Sequence, residues 1–302
     1  MGTSRSRSKE EQAMMNRSRA IATAASLLLT AIPAENVLAG TLHNGWNYAI
    51  DSFSDGVSGL IIGPAGPFEF YSMALKETED DLFLALNANL PITGTANAQA
   101  TNGSISWGDL FFNVSGQDFK TASEAGNLFA VRFAANNDSS VSELGVYRNV
   151  SAKNVTQTNV GFMNLQQYDT TVINGGGTPS MADLASNDPY LEYTGAWNIL
   201  NSIAGGTKIG DIEFLSNSDL AMQNLDFAQF SAVGTHTIGV RFDRNLLPSG
   251  DFIAHVLAEC ANDGMALTGT LQSHTNNGTN VPEPSTILGL LSFGLLFVAK
   301  KV

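Results

Sequence analysis

The stretch THTIGVRF, residues 235–242, gives the clearest indication of the fold. From Ile238 to Phe242 every second side chain is large and apolar, and the residues between are a glycine and an arginine. Successive side chains of a β-strand point to opposite faces, so this alternation places Ile238, Val240 and Phe242 on one face. The stretch therefore predicts a strand with one face in a hydrophobic core.

Strand-like segments recur along the body of the chain. They are rich in aromatic and β-branched residues and are separated by Gly, Asn, Ser and Asp. Together they predict a mainly β body, an antiparallel β-sandwich or a jelly-roll-like fold. We expect short helices only at Ser180–Ala185 and Leu191–Ile203. The predicted strands are Trp46–Ser52, Phe68–Leu75, Asp81–Asn87, Ser104–Asn113, Leu128–Phe133, Asp211–Leu215, Thr235–Asp243 and Phe252–Glu259.

The charge of the chain excludes some partners. The formal net charge is −13, and residues 40–281 hold 24 acidic against eight basic residues, a net charge of −16. Binding to nucleic acid or to an anionic membrane needs clustered Lys and Arg. We therefore expect no nucleic-acid partner and no binding of the body to a membrane surface. A hydrophobic fraction of 43% is typical of a chain that folds around an ordinary core.

The N-terminus predicts a secretory signal peptide over residues 1–39. A basic stretch is followed by the apolar segment Ala20–Ile32, and then by Val37 and Ala39 in an A-x-A-like pattern. We expect cleavage after Ala39. The partners that this implies are the Sec translocon and signal peptidase.

Two alternatives remain open at this end. Cleavage after Ala34 is the second choice. The basic stretch is long for a signal peptide, so translation could begin at Met14 rather than Met1.

The C-terminus predicts a short membrane segment. Residues VPEPST, 281–286, precede the apolar run Ile287–Ala299, and Lys300 and Lys301 follow it. Thirteen helical residues span about 20 Å, less than the hydrocarbon core of about 30 Å, so we expect a transient anchor. The lysines act as a membrane stop and stay on the cytoplasmic side, which places the body outside. The prolines keep the preceding segment extended and open to a processing enzyme.

This tail resembles the PEP-CTERM sorting signal, which has a Pro-Glu-Pro motif, a short transmembrane stretch and a basic end. Pro282, Glu283 and Pro284 match the motif, and the basic end is lysine where arginine is commoner. The resemblance implies that a membrane-embedded exosortase recognises and cuts the tail. It also implies a Gram-negative bacterium that makes an extracellular matrix.

The body is also similar to a family of exosortase-dependent surface proteins found largely in cyanobacteria. This resemblance implies a secreted protein without an assigned activity, and it supplies no catalytic residues. We divide the chain into the signal peptide, a β-rich exported domain (40–275), a linker (276–280) and the sorting signal (281–302). The segments that carry the resemblance are WNYAID (46–51), FEFYSMALKETEDD (68–81), WGDLFFN (107–113), LFAVRF (128–133) and ECAND (259–263).

The sequence contains no catalytic motif that we recognise. The zinc motif H-E-x-x-H, the nucleophile elbow G-x-S-x-G and the P-loop are all missing. The single cysteine, Cys260, could be a nucleophile with His255 as its base, or a bridge between chains. In one regular strand these two residues lie on opposite faces, so we favour a buried, structural cysteine. We assign no catalytic residue.

A calcium site is the one cofactor that the sequence permits. The densest acidic run contains Glu77, Glu79, Asp80 and Asp81. Carboxylate oxygens are the ligands that Ca²⁺ prefers, but the EF-hand pattern is absent, so we favour a solvated turn that adds solubility and assign no cofactor. Further carboxylates that could complete such a site are Asp51, Asp55, Asp109 and Asp263.

These observations favour a non-enzymatic surface or extracellular-matrix protein that contacts the membrane only transiently through residues 287–299. The alternative is a carbohydrate-binding module or glycan-active enzyme of the exopolysaccharide matrix. Trp107 and Trp197 could stack on sugars, although aromatic residues in strands usually belong to the core. Exopolysaccharide is a possible partner under both hypotheses.

Overall fold

The computed structural model of the chain describes residues 40–185 and 187–273. These residues belong to one compact unit, Ala39–Val302. The predicted signal-peptide residues Val37 and Ala39 and the whole predicted sorting tail, including 282–284 and 300–301, lie outside the described residues. Within the described part of the chain, no helix is both long enough and apolar enough to cross a bilayer.

The described residues are mainly β, as predicted. Three short α-helices occur, α1 (Phe119–Glu124), α2 (Leu165–Asn174) and α3 (Asn217–Met222), with single 3₁₀ turns elsewhere. The strands are β1 (Thr41–His43), β2 (Trp46–Ile50), β3 (Val57–Ser58), β4 (Ile61–Ile62), β5 (Phe70–Glu77), β6 (Asp81–Ala88), β7 (Thr95–Ala96), β8 (Ser104–Ile105), β9 (Leu110–Asn113), β10 (Leu128–Arg132), β11 (Gly145–Lys153), β12 (Ser202–Gly210), β13 (Glu213–Leu215), β14 (His236–Asp243), β15 (Gly250–Leu257) and β16 (Gly264–Leu271).

Two antiparallel sheets of six strands make up the body. The first sheet has the order β1-β2-β5-β6-β14-β13, and the second has the order β12-β11-β10-β9-β15-β16. In each sheet, four strands lie side by side in the order in which they occur along the chain, and a later hairpin extends the sheet at one side. The hairpin β13–β14 adds to β6, and the hairpin β15–β16 adds to β9. The small hairpins β3–β4 and β7–β8 lie outside the two sheets.

Apolar side chains of both sheets share one core, the arrangement of a β-sandwich. Leu84 and Val240 of the first sheet and Phe112 and Val131 of the second all belong to it. Every second residue of these strands is apolar and points to this face. Packing the two sheets together therefore removes both apolar faces from water.

Trp107 fills the middle of this core. Its ring stacks on Phe70 with 4.2 Å between the ring centroids and 19° between the planes, and both side chains are 0% exposed. The indole N–H donates to the carbonyl of Leu90 at 3.2 Å, so the one polar atom of the side chain is satisfied.

The stretch that indicated the fold forms β14, a central strand of the first sheet. Ile238, Val240 and Phe242 all enter the shared core, as the alternation predicted. The opposite face is partly covered by α3, because Leu220 packs over Gly239, where a Cβ atom would lie 2.7 Å from the leucine side chain. A glycine in mid-strand therefore makes room for the helix.

All eight predicted strands overlap observed ones, but β1, β11, β12 and β16 of the two large sheets, and β3, β4 and β7 of the small hairpins, were not predicted. The glycines of SIAGGTKIG in β12 and the small residues of GMALTGTL in β16 hide the alternation. Strand β11 is interrupted by a residue in the left-handed region, Asn149 with φ 52°.

Both predicted helices are wrong. The segment 180–185 runs as an extended bend against β16, because its N–H groups bond to carboxylates and to Ala266 rather than within a helix. The segment Leu191–Ile203 is irregular until β12 begins, and the Asn198 side chain bonds the carbonyls of Glu192 and Thr194. The longest of the three helices, α2, is capped by Asn164, whose side chain accepts from the Gln167 N–H.

We expect Trp107→Ala to lower the free energy of unfolding by about 3–5 kcal/mol, because it leaves a cavity in the shared core. The same substitution at Trp197, which is 39% exposed, is the matched control and should cost less than about 1 kcal/mol. Urea unfolding of the purified protein measures both values. Equal losses at the two positions would contradict the central role of Trp107.

Candidate functional site

The structure does not bring together the acidic run that the sequence offered as a calcium site. Glu77, at the end of β5, accepts from the Arg244 side chain, and Asp81, at the start of β6, lies 3.3 Å from the Arg241 guanidinium. Glu79 and Asp80 are exposed in the turn between these strands. Two of the four carboxylates are thus neutralised by arginines, and the other two face solvent.

Three other carboxylates do converge. One oxygen each from Asp51, Asp55 and Asp263 lie within 4.8 Å of one another. Asp51 directly follows β2, Asp55 lies in the loop before β3, and Asp263 lies in the turn between β15 and β16. The exposed fractions of the three residues are 4%, 0% and 1%, so this acidic cluster is enclosed by protein.

Backbone N–H groups fix one oxygen of each aspartate in the acidic cluster. Asp51 Oδ1 accepts from the Ala182 N–H at 3.1 Å, and Asp55 Oδ2 accepts from the Ser180 N–H at 2.8 Å. Asp263 Oδ2 accepts from the N–H of Phe70, the first residue of β5, at 2.7 Å. The acidic cluster therefore joins both sheets to the segment that follows α2.

A fourth carboxylate, Glu69, lies beside the acidic cluster and was not singled out from the sequence. It is 0% exposed, and its Oε2 accepts from the Gly56 N–H at 2.8 Å. Gly56 is required there, since a Cβ atom would lie 2.5 Å from the Glu69 Cα. The signal that could have identified Glu69 is a carboxylate between two phenylalanines, Phe68 and Phe70, at the start of a buried strand.

The hydroxyl of Tyr168 completes the surroundings. It projects from α2 and donates to Asp263 Oδ1 at 3.3 Å, and its side chain is 1% exposed. The ion pairs of the described residues all lie elsewhere, so no basic side chain in this part of the chain forms an ion pair with the four carboxylates.

Burial dominates the electrostatics of these groups. It raises the pKa of Asp55 and of Glu69 to about 7. It also raises the pKa of Asp51 and of Asp263 well above the usual range, and repulsion from the neighbouring carboxylates adds to the effect. Such a group of oxygens can hold protons, or it can hold a cation.

Asp109, the remaining acid that the sequence considered as a ligand, lies elsewhere. It is buried and accepts from Asn137 Nδ2 at 2.9 Å and from the Ile203 N–H at 2.7 Å. Glu259 has a similar role, since it accepts from the N–H groups of Ser106 and Asp138. Both acids tie loops to the second sheet.

Cys260 and His255 do not meet, as the strand argument predicted. Cys260 packs in the core shared by the two sheets, whereas His255 stacks on Phe111, on the other side of the second sheet. Burial raises the pKa of the Cys260 thiol and lowers the pKa of His255 to about 3. The thiol is 0% exposed, which opposes both the nucleophile and the bridge between chains.

The two tryptophans considered for sugar stacking differ. Trp107 belongs to the core, and the interpretation of it as a stacking platform is wrong. Trp197 remains accessible at 39% exposure, with its backbone in the left-handed region at φ 57°.

The buried carboxyls predict that stability falls as pH rises. The pKa of Asp55, Glu69 and Glu259 is about 7 in the folded protein, against about 4 in an unfolded chain. The folded state therefore binds more protons between these values, and its stability is lost as pH rises through the folded pKa. In EDTA, the free energy of unfolding should fall between pH 5 and pH 7.5 by on the order of 2–3 kcal/mol for each of these carboxyls that titrates independently, as measured by urea denaturation. A rise over that range would contradict the pKa directions.

Residues 280–301 match the family model of the PEP-CTERM protein-sorting motif. No curated protein shows a significant match to the chain, and no solved structure does. The matched residues contain Pro282, Glu283 and Pro284 and the apolar run that follows them. The motif implies that this protein is exported and sorted to the surface or the exterior of the cell, with an exosortase as its processing partner.

Proposed function

We propose that this chain is a non-enzymatic component of the cell surface or extracellular matrix, delivered there by an exosortase. The match of residues 280–301 to the sorting motif carries the proposal. In this proposal residues 1–39 direct export through the Sec translocon, and residues 281–302 hold the chain at the membrane until the exosortase cuts it. The β-sandwich body is then released as the mature protein.

Two features of the body support a structural role. The groups that would be candidates for nucleophilic or acid–base work, Cys260 and His255, are fully buried and separated by a sheet. Asp109 and Glu259 accept backbone N–H groups and fasten loops. Buried polar groups of this kind maintain a fold and do not meet a substrate.

The sorting tail predicts a processing defect when its motif is changed. Replacing Pro282, Glu283 and Pro284 by alanine removes the fixed extended backbone and the carboxylate, but it leaves the apolar run intact. We expect the uncut chain to accumulate in the membrane fraction, with the loss of at least about nine-tenths of the surface-exposed form. Cell fractionation followed by intact-mass measurement tests this.

Replacing Asn276 and Asn277 by alanine provides the matched control, because these residues precede the matched motif and lie in the predicted linker. Processing of this variant should be normal. If the motif variant reaches the surface as efficiently as the control and with the same mass, the sorting proposal is wrong.

A second candidate function is binding of matrix glycan through the body, and one observation favours it. Trp197 is accessible, and Glu192, five residues before it across the bend that Asn198 holds, is exposed. An exposed indole beside polar groups is a suitable surface for stacking on a sugar ring.

Intrinsic fluorescence can test this candidate, because Trp46 and Trp107 are each 0% exposed and should not respond to a ligand. If Trp197 stacks on sugar, titration with host exopolysaccharide should shift the emission to shorter wavelength, and Trp197→Ala should abolish the shift. The release of reducing ends, measured in parallel, separates binding from hydrolysis. An unchanged spectrum for the unmodified protein would exclude stacking at Trp197.

A further inference from the structure

We propose that Asp51, Asp55 and Asp263 form a buried Ca²⁺ site, with the neighbouring carboxylate of Glu69 adding to its negative charge. This inference concerns the body alone, so it stands or falls independently of the sorting role.

The spacing of the oxygens suits calcium. Oxygens that share one Ca²⁺ lie about 2.3–2.6 Å from the ion, so two of them can be up to about 5 Å apart. One oxygen from each of the three aspartates lies within 4.8 Å of the others. The set holds carboxylate oxygens without sulfur or imidazole, which favours a hard cation over zinc or copper.

The oxygens that the backbone does not hold are available to an ion. Asp51 Oδ2 and Asp55 Oδ1 are buried and have no hydrogen-bond partner among the described residues. The other oxygen of each carboxylate is already occupied by a backbone N–H. The backbone thus orients the two aspartates, and each keeps a second buried oxygen that meets no hydrogen-bond partner among the described residues.

Glu69 provides independent support for a ligand. It lies outside the group of three aspartates, it is 0% exposed, and its Oε1 also has no hydrogen-bond partner among the described residues. Electrostatic repulsion acts between Glu69 and both Asp55 and Asp263, so Glu69 lies next to the acidic cluster. An unpaired buried carboxylate is costly, and a bound cation removes that cost.

Calcium is favoured over magnesium by the nature of the site. The ligands come from loops and turns that follow or precede strands, and three buried carboxylates converge there. Mg²⁺ usually keeps several waters and takes only one or two carboxylates, whereas Ca²⁺ accepts an irregular cage of many oxygens. The exterior of a cell, where the sorting signal sends this chain, also supplies calcium at concentrations that suit weak sites.

The site would connect distant parts of the chain. Asp51 and Asp55 lie in the loop between β2 and β3, and Asp263 lies in the turn between β15 and β16. An ion held by all three would therefore fasten a loop of the first sheet to a turn of the second.

The test measures the thermal midpoint of the purified protein after extraction with EDTA. We expect Ca²⁺ at about 1 mM to raise the midpoint by about 5–10 °C, the shift that linkage gives for a ligand at about a hundredfold above its Kd. Mg²⁺ at equal concentration and ionic strength should give a much smaller shift. Elemental mass spectrometry of the calcium-loaded, desalted protein should find close to one Ca²⁺ per chain.

Two double variants locate the site. Asp51→Asn with Asp55→Asn should abolish the calcium shift and the bound ion. Glu79→Gln with Asp80→Asn, which removes the same charge from the exposed acidic run, is the matched control and should keep both.

Terbium luminescence covers the case in which the first double variant does not fold. Tb³⁺ replaces Ca²⁺ at oxygen sites, and the Tyr168 hydroxyl lies 3.3 Å from Asp263 Oδ1, so excitation of tyrosine should sensitise terbium emission from the unmodified protein. Excess Ca²⁺ should quench the emission by displacement, and Tyr168→Phe should reduce it.

Three results would each overturn the proposal. The first is a midpoint that Ca²⁺ leaves unmoved, together with no bound calcium. The second is an equal response to Mg²⁺. The third is a calcium shift that the control variant loses and the Asp51/Asp55 variant retains.

Discussion

The hydrogen bond from the Phe70 N–H to Asp263 ties the two sheets of the sandwich together inside the protein. It joins the first residue of β5, in the first sheet, to the turn between β15 and β16, in the second. Directly beside it the Phe70 ring stacks on Trp107, in the middle of the shared core. A polar contact and an aromatic contact thus fix the same point from two sides. The apolar faces supply most of the free energy of closure, but they are not directional, and the carboxylate sets how the sheets meet.

The sequence predicted those parts of the fold that are coded locally. The alternation of Ile238, Val240 and Phe242 identified a central strand, because the period of the side chains is the period of the structure. It did not reveal β12 or β16, where glycine and other small residues replace the large apolar ones. The sequence also predicted a helix at 180–185, because Ser180 resembles a helix cap. In the structure the Ser180 N–H donates to the distant Asp55 instead, and no helix forms there. Tertiary contacts override local preference at that point.

The acidic cluster also could not be identified from local sequence alone. The sequence pattern includes Asp51, Asp55 and Asp263 among the possible ligands, yet it favours the dense run from Glu77 to Asp81. A high density of acidic residues along the chain does not show which carboxylates lie together in the fold. Adjacent strand residues point apart, and arginines from β14 and the turn after it neutralise two members of that run. Asp263 lies more than 200 positions from Asp51 and Asp55 in the chain, and only the fold brings it to them.

The burial of Cys260 has a consequence for a protein in the oxidising environment outside the cell. In an oxidising compartment an accessible lone thiol exchanges with other disulfides or is converted to sulfenic acid. Here the only sulfhydryl of the chain is enclosed between the sheets, with its pKa raised by burial, so little thiolate is present to react. The folded protein therefore does not expose its thiol to oxidation or to disulfide exchange.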